Sequence, residues 1–105
     1  MEFVKVATVA DIPPGERSWF EFEEETLIVF NVDGEFYCVA DLCTHDGGPL
    51  EFGELYGYEV ECPRHGARFD IRNGKAVQMP AVAGIPTYAV KVEGEDLYVE
   101  SPDEF

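Results

Sequence analysis

Short β-rich runs separated by turn residues fill most of this 105-residue chain, and this pattern limits its fold more than any other feature. No segment keeps a helical apolar stripe for three turns. The pairs Asp33-Gly34 and Asn73-Gly74 and the triplet Glu93-Gly94-Glu95 each lie between two such runs, which is typical of hairpins. The expected strands are residues 3–9, 17–22, 26–32, 35–40, 58–61, 68–71, 76–78, 88–92 and 96–100. The pattern predicts an all-β fold, an antiparallel sandwich or barrel.

Two segments, residues 42–57 and 79–86, are too long to be plain hairpin turns. Long loops in compact domains are often functional. A chain of this length has no room for a second domain, so we expect a single domain over residues 1–105.

The chain is strongly acidic, with 22 acidic and 7 basic residues and a formal charge of −15. Such a surface repels phosphate backbones and anionic lipids, which argues against nucleic acids and membranes as partners. It would attract a protein with a basic docking face, or it simply keeps the chain in solution. The longest uncharged run, residues 76–90, is too short for a membrane-spanning helix. The N-terminus lacks the pattern of a secretory signal. We therefore expect a soluble, cytoplasmic protein.

Both histidines and two of the three cysteines fall into one two-part pattern. Cys43-Thr44-His45 is followed, after 16 residues, by Cys62-Pro63-Arg64-His65. Two thiolates and two imidazoles are a complete set of metal ligands and could hold one tetrahedral zinc. Each half of the pattern supplies one cysteine and one histidine, however, which favours a two-iron cluster with both thiolates on one iron and both imidazoles on the other. The residues predict a metal site, with the cluster favoured and zinc as the alternative.

Cys43-Thr44-His45 together with Cys62-Pro63-Arg64-His65-Gly66 resembles the binding motif of Rieske-type iron–sulfur proteins. The resemblance extends over nearly the whole chain. It implies one [2Fe–2S] cluster, with Cys43 and Cys62 on the inner iron and His45 and His65 on the outer, more exposed iron. It also implies that the loop around Pro80 covers the cluster from a third side. We expect Gly47, Gly48 and Gly66 to allow tight turns and N–H donation toward sulfur in these loops.

The resemblance also indicates to which subfamily of Rieske proteins this chain is similar. Rieske proteins of cytochrome bc-type complexes carry a disulfide between the two cluster loops, where this chain has Gly48 and Arg64. They also carry a Ser and a Tyr whose hydroxyls donate to the cluster and its thiolate, where this chain has Ala67 and Phe69. Such hydrogen bonds stabilise the reduced cluster, so their loss predicts a reduction potential nearer about −150 mV than about +300 mV. The chain is similar to a low-potential Rieske-type ferredoxin.

This resemblance implies a one-electron carrier rather than an enzyme. Its partners would be a ferredoxin reductase and a non-haem iron oxygenase, such as a ring-hydroxylating one. Two alternatives stay open: a structural or redox-sensing metal module, and the small subunit of a nitrite-reductase-like complex. Solvent access at His45 and His65 separates a carrier from a structural module, because a carrier needs an exposed edge.

Three further features have weaker functional implications. Cys38 lies in an apolar run and is expected to be a small buried residue. Trp19 is expected to pack in the core. Four of the seven basic residues lie between Arg64 and Lys75, and they could either make the metal end less acidic or lie at random on a solvated face.

Overall fold

The computed structural model describes residues 2–42, 50, 53–63, 66–79 and 83–102. These residues form eleven strands and one 3-10 turn, Val9–Asp11. The strands are β1 (Phe3–Thr8), β2 (Arg17–Glu21), β3 (Thr26–Val32), β4 (Glu35–Ala40), β5 (Leu55–Tyr56), β6 (Glu59–Glu61), β7 (Arg68–Asp70), β8 (Ala76–Gln78), β9 (Thr87–Tyr88), β10 (Val90–Glu93) and β11 (Asp96–Glu100). The predicted all-β, antiparallel fold is confirmed.

The strands form three antiparallel sheets. The outer sheet has the order β1-β11-β10, and the central sheet has the order β2-β3-β4-β9. The third sheet, here called the meander sheet, runs β5-β6-β7-β8 in chain order. Asp33 and Gly34 both have positive φ, 53° and 92°, so the β3–β4 hairpin has the predicted tight turn.

Strand β3, an inner strand of the central sheet, is buried on both faces, which explains its apolar run from Leu27 to Phe30. Leu27 and Val29 of β3 pack with Leu97 and Val99 of the outer sheet in one cluster, the outer core. The alternate residues, Ile28 and Phe30, point the other way because side chains alternate along a strand. They pack with Val60 and Phe69 of the meander sheet in a second cluster, the meander core. The fold therefore has three layers and two apolar cores.

The structure differs from the sequence prediction at two strands. Strand β5 lies inside the segment predicted as one long loop. The strand predicted over residues 88–92 is interrupted at Ala89, since β9 pairs with β4 of the central sheet and β10 pairs with β11 of the outer sheet. The chain thus passes from one sheet to the next at Ala89, and two short strands replace one.

All four meander strands lie between β4 and β9 in the chain. β4 and β9 are neighbours in the central sheet, and the Ala40 N–H donates to the Pro86 carbonyl at 3.0 Å. The meander sheet and its loops are therefore one continuous insertion that leaves and rejoins the central sheet at a single place. In the part of the chain that the structure describes, no helix has the length and apolar character needed to cross a membrane.

Candidate metal centre

Cys62 opens the hairpin loop between β6 and β7, residues 62–67, here called the second ligand loop. The Cys62 N–H donates to the Ala67 carbonyl at 2.6 Å, and the Gly66 N–H donates back to the Cys62 carbonyl at 3.1 Å. Gly66 has φ 76°, a conformation that side chains rarely adopt, so the glycine allows the loop to close. The positive φ of Gly66 fits a tight turn at this residue, and its N–H donates to the Cys62 carbonyl. The backbone thus fixes Cys62 at the start of a tight loop.

The first ligand loop, residues 41–54, is closed at its base by a side chain. The Asp41 N–H donates to the Thr26 carbonyl at 2.8 Å, which anchors this residue to the central sheet. The Asp41 carboxylate then accepts a hydrogen bond from the Leu50 N–H at 2.5 Å. Leu50 is fully buried in the meander core, the same cluster that contains Cys62. Both ligand loops therefore start from one apolar core.

The two ligand loops meet at Gly53. A Cβ on Gly53 would overlap the Glu61 carbonyl, so only glycine lets the first loop approach the residue that precedes Cys62 this closely. The Gly53 N–H donates to the Leu50 carbonyl at 2.9 Å, and the Glu61 N–H donates to the Glu54 carbonyl at 2.9 Å. This contact, here called the junction, joins the returning limb of the first loop to the start of the second.

The third loop, residues 79–86, begins beside the second ligand loop. The Gln78 side-chain amide donates to the Gly66 carbonyl at 3.2 Å. The next residue, Met79, has 72% of its surface exposed. At the other end, the Ile85 N–H donates to the Gly74 carbonyl at 2.8 Å, and Ile85 packs in the meander core. Gln78, which precedes the third loop, and Ile85, near its end, therefore both contact the meander sheet or its core.

The surroundings of Cys62 suit an inner, water-excluded thiolate. Cys62, Ala67 and Phe69 have no exposed surface, and all three pack in the meander core. Among the described residues, neither Cys62 nor Cys38 forms a disulfide, so the Cys62 thiol is available as a ligand. Ala67 and Phe69 carry no hydroxyl group. A buried, unbridged thiol on a backbone-fixed loop fits the inner ligand of a [2Fe–2S] cluster.

Two arginines on the outside of the meander sheet are paired with carboxylates. The Arg68 Nε lies 3.1 Å from Glu61 Oε2, and the Arg68 Cζ lies 4.0 Å from the Tyr56 ring centroid. The hydrogen bond to Glu61 raises the pKa of Arg68. Because Arg68 and Glu61 are cross-strand partners next to the second ligand loop, this pair braces its base.

Arg72 forms a two-pronged pair with Asp70, through Nε to Oδ1 at 3.0 Å and Nη2 to Oδ2 at 2.8 Å. Its guanidinium also lies 4.2 Å from the Tyr58 ring centroid. These hydrogen bonds lower the pKa of the Asp70 carboxyl, although its burial opposes the shift. The carboxylates therefore neutralise Arg68 and Arg72, which does not favour a positive docking patch at these residues.

The structure brings some predicted residues together and leaves others undescribed. Cys62 and Gly66 lie in the second ligand loop, as above. The remaining predicted site residues lie outside the described part of the chain: Cys43, His45, Gly47, Gly48, His65 and Pro80.

Cys38 and Trp19 were both predicted to be buried, and only Cys38 is. Cys38 is 2% exposed in the outer core, which confirms the prediction, and burial raises the pKa of its thiol to about 12. The prediction for Trp19 was wrong, because 46% of its surface is exposed. Trp19 lies on β2, an edge strand of the central sheet.

Comparison with known proteins agrees with this arrangement. Residues 2–89 match the family described as the Rieske [2Fe-2S] domain. The ferredoxin component of biphenyl 2,3-dioxygenase from Rhodococcus jostii (strain RHA1) is 40% identical over 100 residues, which cover 95% of this chain and 94% of that protein.

Two solved structures share the fold. A ferredoxin from Sphingomonas yanoikuyae B1 has a TM-score of 0.87 and 34% identity, covering 96% of this chain and 100% of that one. The ferredoxin-like chain in a complex of reduced oxygenase and oxidized ferredoxin of carbazole 1,9a-dioxygenase has a TM-score of 0.90 and 29% identity, covering 98% of this chain and 96% of that one. With the match over residues 2–89, the buried Cys62 and the paired Cys–His motifs, this chain belongs to the Rieske [2Fe–2S] domain family.

Proposed function

We propose that this chain is the ferredoxin of a ring-hydroxylating dioxygenase system. It would accept one electron from a reductase and pass it to an oxygenase. The observation that carries the proposal is the 40% identity, over 95% of the chain, to a protein named as the ferredoxin component of such a system. A similar chain is also seen in a solved complex of ferredoxin and oxygenase.

The proposal assigns Cys43 and Cys62 to the inner iron and His45 and His65 to the outer iron, within one domain over residues 1–105. The burial of Cys62 supports the inner position, because an iron–thiolate bond held away from water is shielded from hydrolysis and ligand exchange. The junction at Gly53 supports the pairing of the two loops, since it holds the return of the first loop against the start of the second.

When bound, the cluster supplies a centre that gains and releases one electron. The residues around the cluster set its reduction potential. Ala67 and Phe69 surround Cys62 with apolar groups and offer no hydroxyl to its sulfur, which disfavours the extra negative charge of the reduced form. We therefore infer a potential at the low end of the Rieske range, nearer about −150 mV than about +300 mV.

The surface near the second ligand loop supports a carrier over a purely structural module. Pro63, which follows Cys62 directly, is exposed, and so is Met79 at the start of the third loop. The second ligand loop thus places a buried cysteine next to an exposed residue, and the neighbouring third loop begins with another exposed residue. We further propose a cytoplasmic location, where reducing conditions keep thiols such as Cys38 and Cys62 free; cell fractionation with an antibody tests it.

Electron paramagnetic resonance of the dithionite-reduced protein tests the cluster and its ligands. We expect a rhombic signal with an average g below 2, lower than that of all-cysteine [2Fe–2S] proteins, together with two irons per chain. A silent sample with one zinc per chain would refute the carrier and support the structural module. Reduction by a reductase, followed by reoxidation on mixing with an oxygenase, tests the carrier role directly.

The two described cysteines form a matched pair for the ligand assignment. Both are buried and neither is in a disulfide. Cys62→Ser should abolish the signal or shift its g values, whereas Cys38→Ser should leave them unchanged. Equal behaviour of the two variants would contradict the assignment of Cys62.

A further inference from the structure

The side chain of Arg17 bridges the central sheet and the first ligand loop. Arg17 begins β2, and its guanidinium lies 4.8 Å from the ring centroid of Phe30, a buried residue of the meander core. Its Nη1 donates to the Gly53 carbonyl at 2.6 Å, across 36 residues of sequence. Arginine keeps its charge in proteins, so this is a short, charge-assisted hydrogen bond.

The acceptor of this hydrogen bond lies at the junction of the two ligand loops. Gly53 contacts the Glu61 backbone on one side and binds the Leu50 carbonyl through its own N–H on the other. Glu61 precedes Cys62, and Leu50 is held by the Asp41 carboxylate at the base of the first loop. A displacement of Gly53 is therefore transmitted to both loops.

We propose that Arg17 is a positioning residue for the metal centre, which it serves by fixing the junction of the two ligand loops through the Gly53 carbonyl. This inference rests on the proposed function, since that supplies the ligand assignment. The rigid planar guanidinium stacks on Phe30 and aims one N–H at Gly53, which a flexible ammonium group does less well.

The position of Arg17 separates this role from general stability. Its backbone pairs with β3, where Arg17 opposes Phe30, and this pairing does not need the side chain. Removing the guanidinium therefore leaves the β2–β3 ladder intact and releases Gly53. The loss of the guanidinium should therefore displace the two ligand loops before it affects the rest of the fold.

Arg17→Gln and Arg17→Lys test the proposal on the cluster-loaded protein. The control is Lys91→Gln, which also removes a cation near aromatic rings, 5.4 Å from the Phe3 centroid, but in the outer sheet. Three readouts are compared: the g values of the reduced protein, the rate at which a chelator bleaches the visible absorbance, and the unfolding midpoint by Trp19 fluorescence.

We expect Arg17→Gln to bleach about 10- to 100-fold faster than the unchanged protein and to shift the g values, because a hydrogen bond to a charged group is lost. Arg17→Lys should fall between the two, and Lys91→Gln should match the unchanged protein. Unchanged bleaching and unchanged g values in Arg17→Gln would overturn the inference, whatever the unfolding midpoint does.

A second variant covers the case in which Arg17→Gln does not fold. Gly53→Ala places a Cβ against the Glu61 carbonyl and disturbs the junction while Arg17 stays in place. It should bleach faster and shift the g values as well. If Gly53→Ala and Arg17→Lys both behave like the unchanged protein, the inference is wrong. A missing Rieske signal in the unchanged protein would instead refute the proposed function, so the two failures are distinguishable.

Discussion

The two apolar cores predict that equal damage to each has unequal effects on the metal centre. Leu50 and Leu97 are both completely buried, but Leu50 packs with Cys62 in the meander core and Leu97 packs in the outer core. Replacing each by alanine removes the same atoms from equally buried positions. The pair therefore separates the stability of the fold from the integrity of the ligand loops.

The magnitude follows from the burial of the two side chains. A buried Leu→Ala change lowers the free energy of unfolding by about 2–5 kcal/mol, through lost transfer energy and the cavity left behind. In a domain of this size, each kcal/mol lowers Tm by about 4–8 °C, so both variants should melt at least about 8 °C lower. The two sites belong to different clusters and share no described contact, so their effects on Tm should add.

The assay compares Tm by circular dichroism with chelator-driven bleaching at 20 °C, well below both transitions. Leu50→Ala should bleach several times faster than the unchanged protein, because it opens a cavity beside Cys62. Leu97→Ala should bleach at the unchanged rate despite its lower Tm. If both variants bleach equally fast, the cores are not independent and the reasoning from two separate clusters is refuted.

Three further predictions follow from single side chains. Asp41→Ala leaves the buried Leu50 N–H without its acceptor and should cost about 1–3 kcal/mol, whereas Asp41→Asn keeps an acceptor oxygen; equal Tm values for the two would contradict this role. In the folded protein, the ion pair with Arg72 holds the pKa of Asp70 below its ordinary value of 3.8. The stability that this pair contributes is therefore present above pH 3.8 and is lost as the pH falls through the pKa of the folded state. The Tm difference between the unchanged protein and Asp70→Asn should therefore shrink in melts run from pH 7 down to pH 3, and a constant difference would exclude this linkage. Burial raises the pKa of the Cys38 thiol to about 12, so iodoacetamide at pH 8 should modify it only after unfolding, as mass spectrometry can show; rapid modification of the folded protein would mean that β4 opens.

Local patterns were sufficient to predict most strands but not their neighbours. β3 and β4 were predicted with their observed bounds. Apolar residues fill both faces of β3, and a tight Asp-Gly turn joins β3 to β4. Trp19 was placed in the core because large aromatic side chains are usually buried. Its cross-strand partner Ile28 is buried, but the residue type does not show that β2 is an edge strand.

The spacing of the Cys–His motifs predicts the metal ligands, whereas no pattern in the sequence predicts the residues that hold the loops. Nothing in the sequence near Arg17 points to a partner 36 residues away. Asp41 and Gly53 likewise read as ordinary loop residues until the fold brings the Leu50 N–H and the Glu61 carbonyl beside them. These contacts depend on how the sheets stack, which no short pattern encodes.

The single place at which the meander segment leaves and rejoins the central sheet has an evolutionary consequence. The ends of the segment are one hydrogen bond apart, between the Ala40 N–H and the Pro86 carbonyl. A segment with adjacent ends can be lengthened, shortened or exchanged as a unit without straining its host. A replacement needs an apolar face that covers Ile28, Phe30 and Val39. The reduction potential of the cluster and the choice of partner can therefore evolve through changes in the meander segment, while the outer and central sheets stay the same.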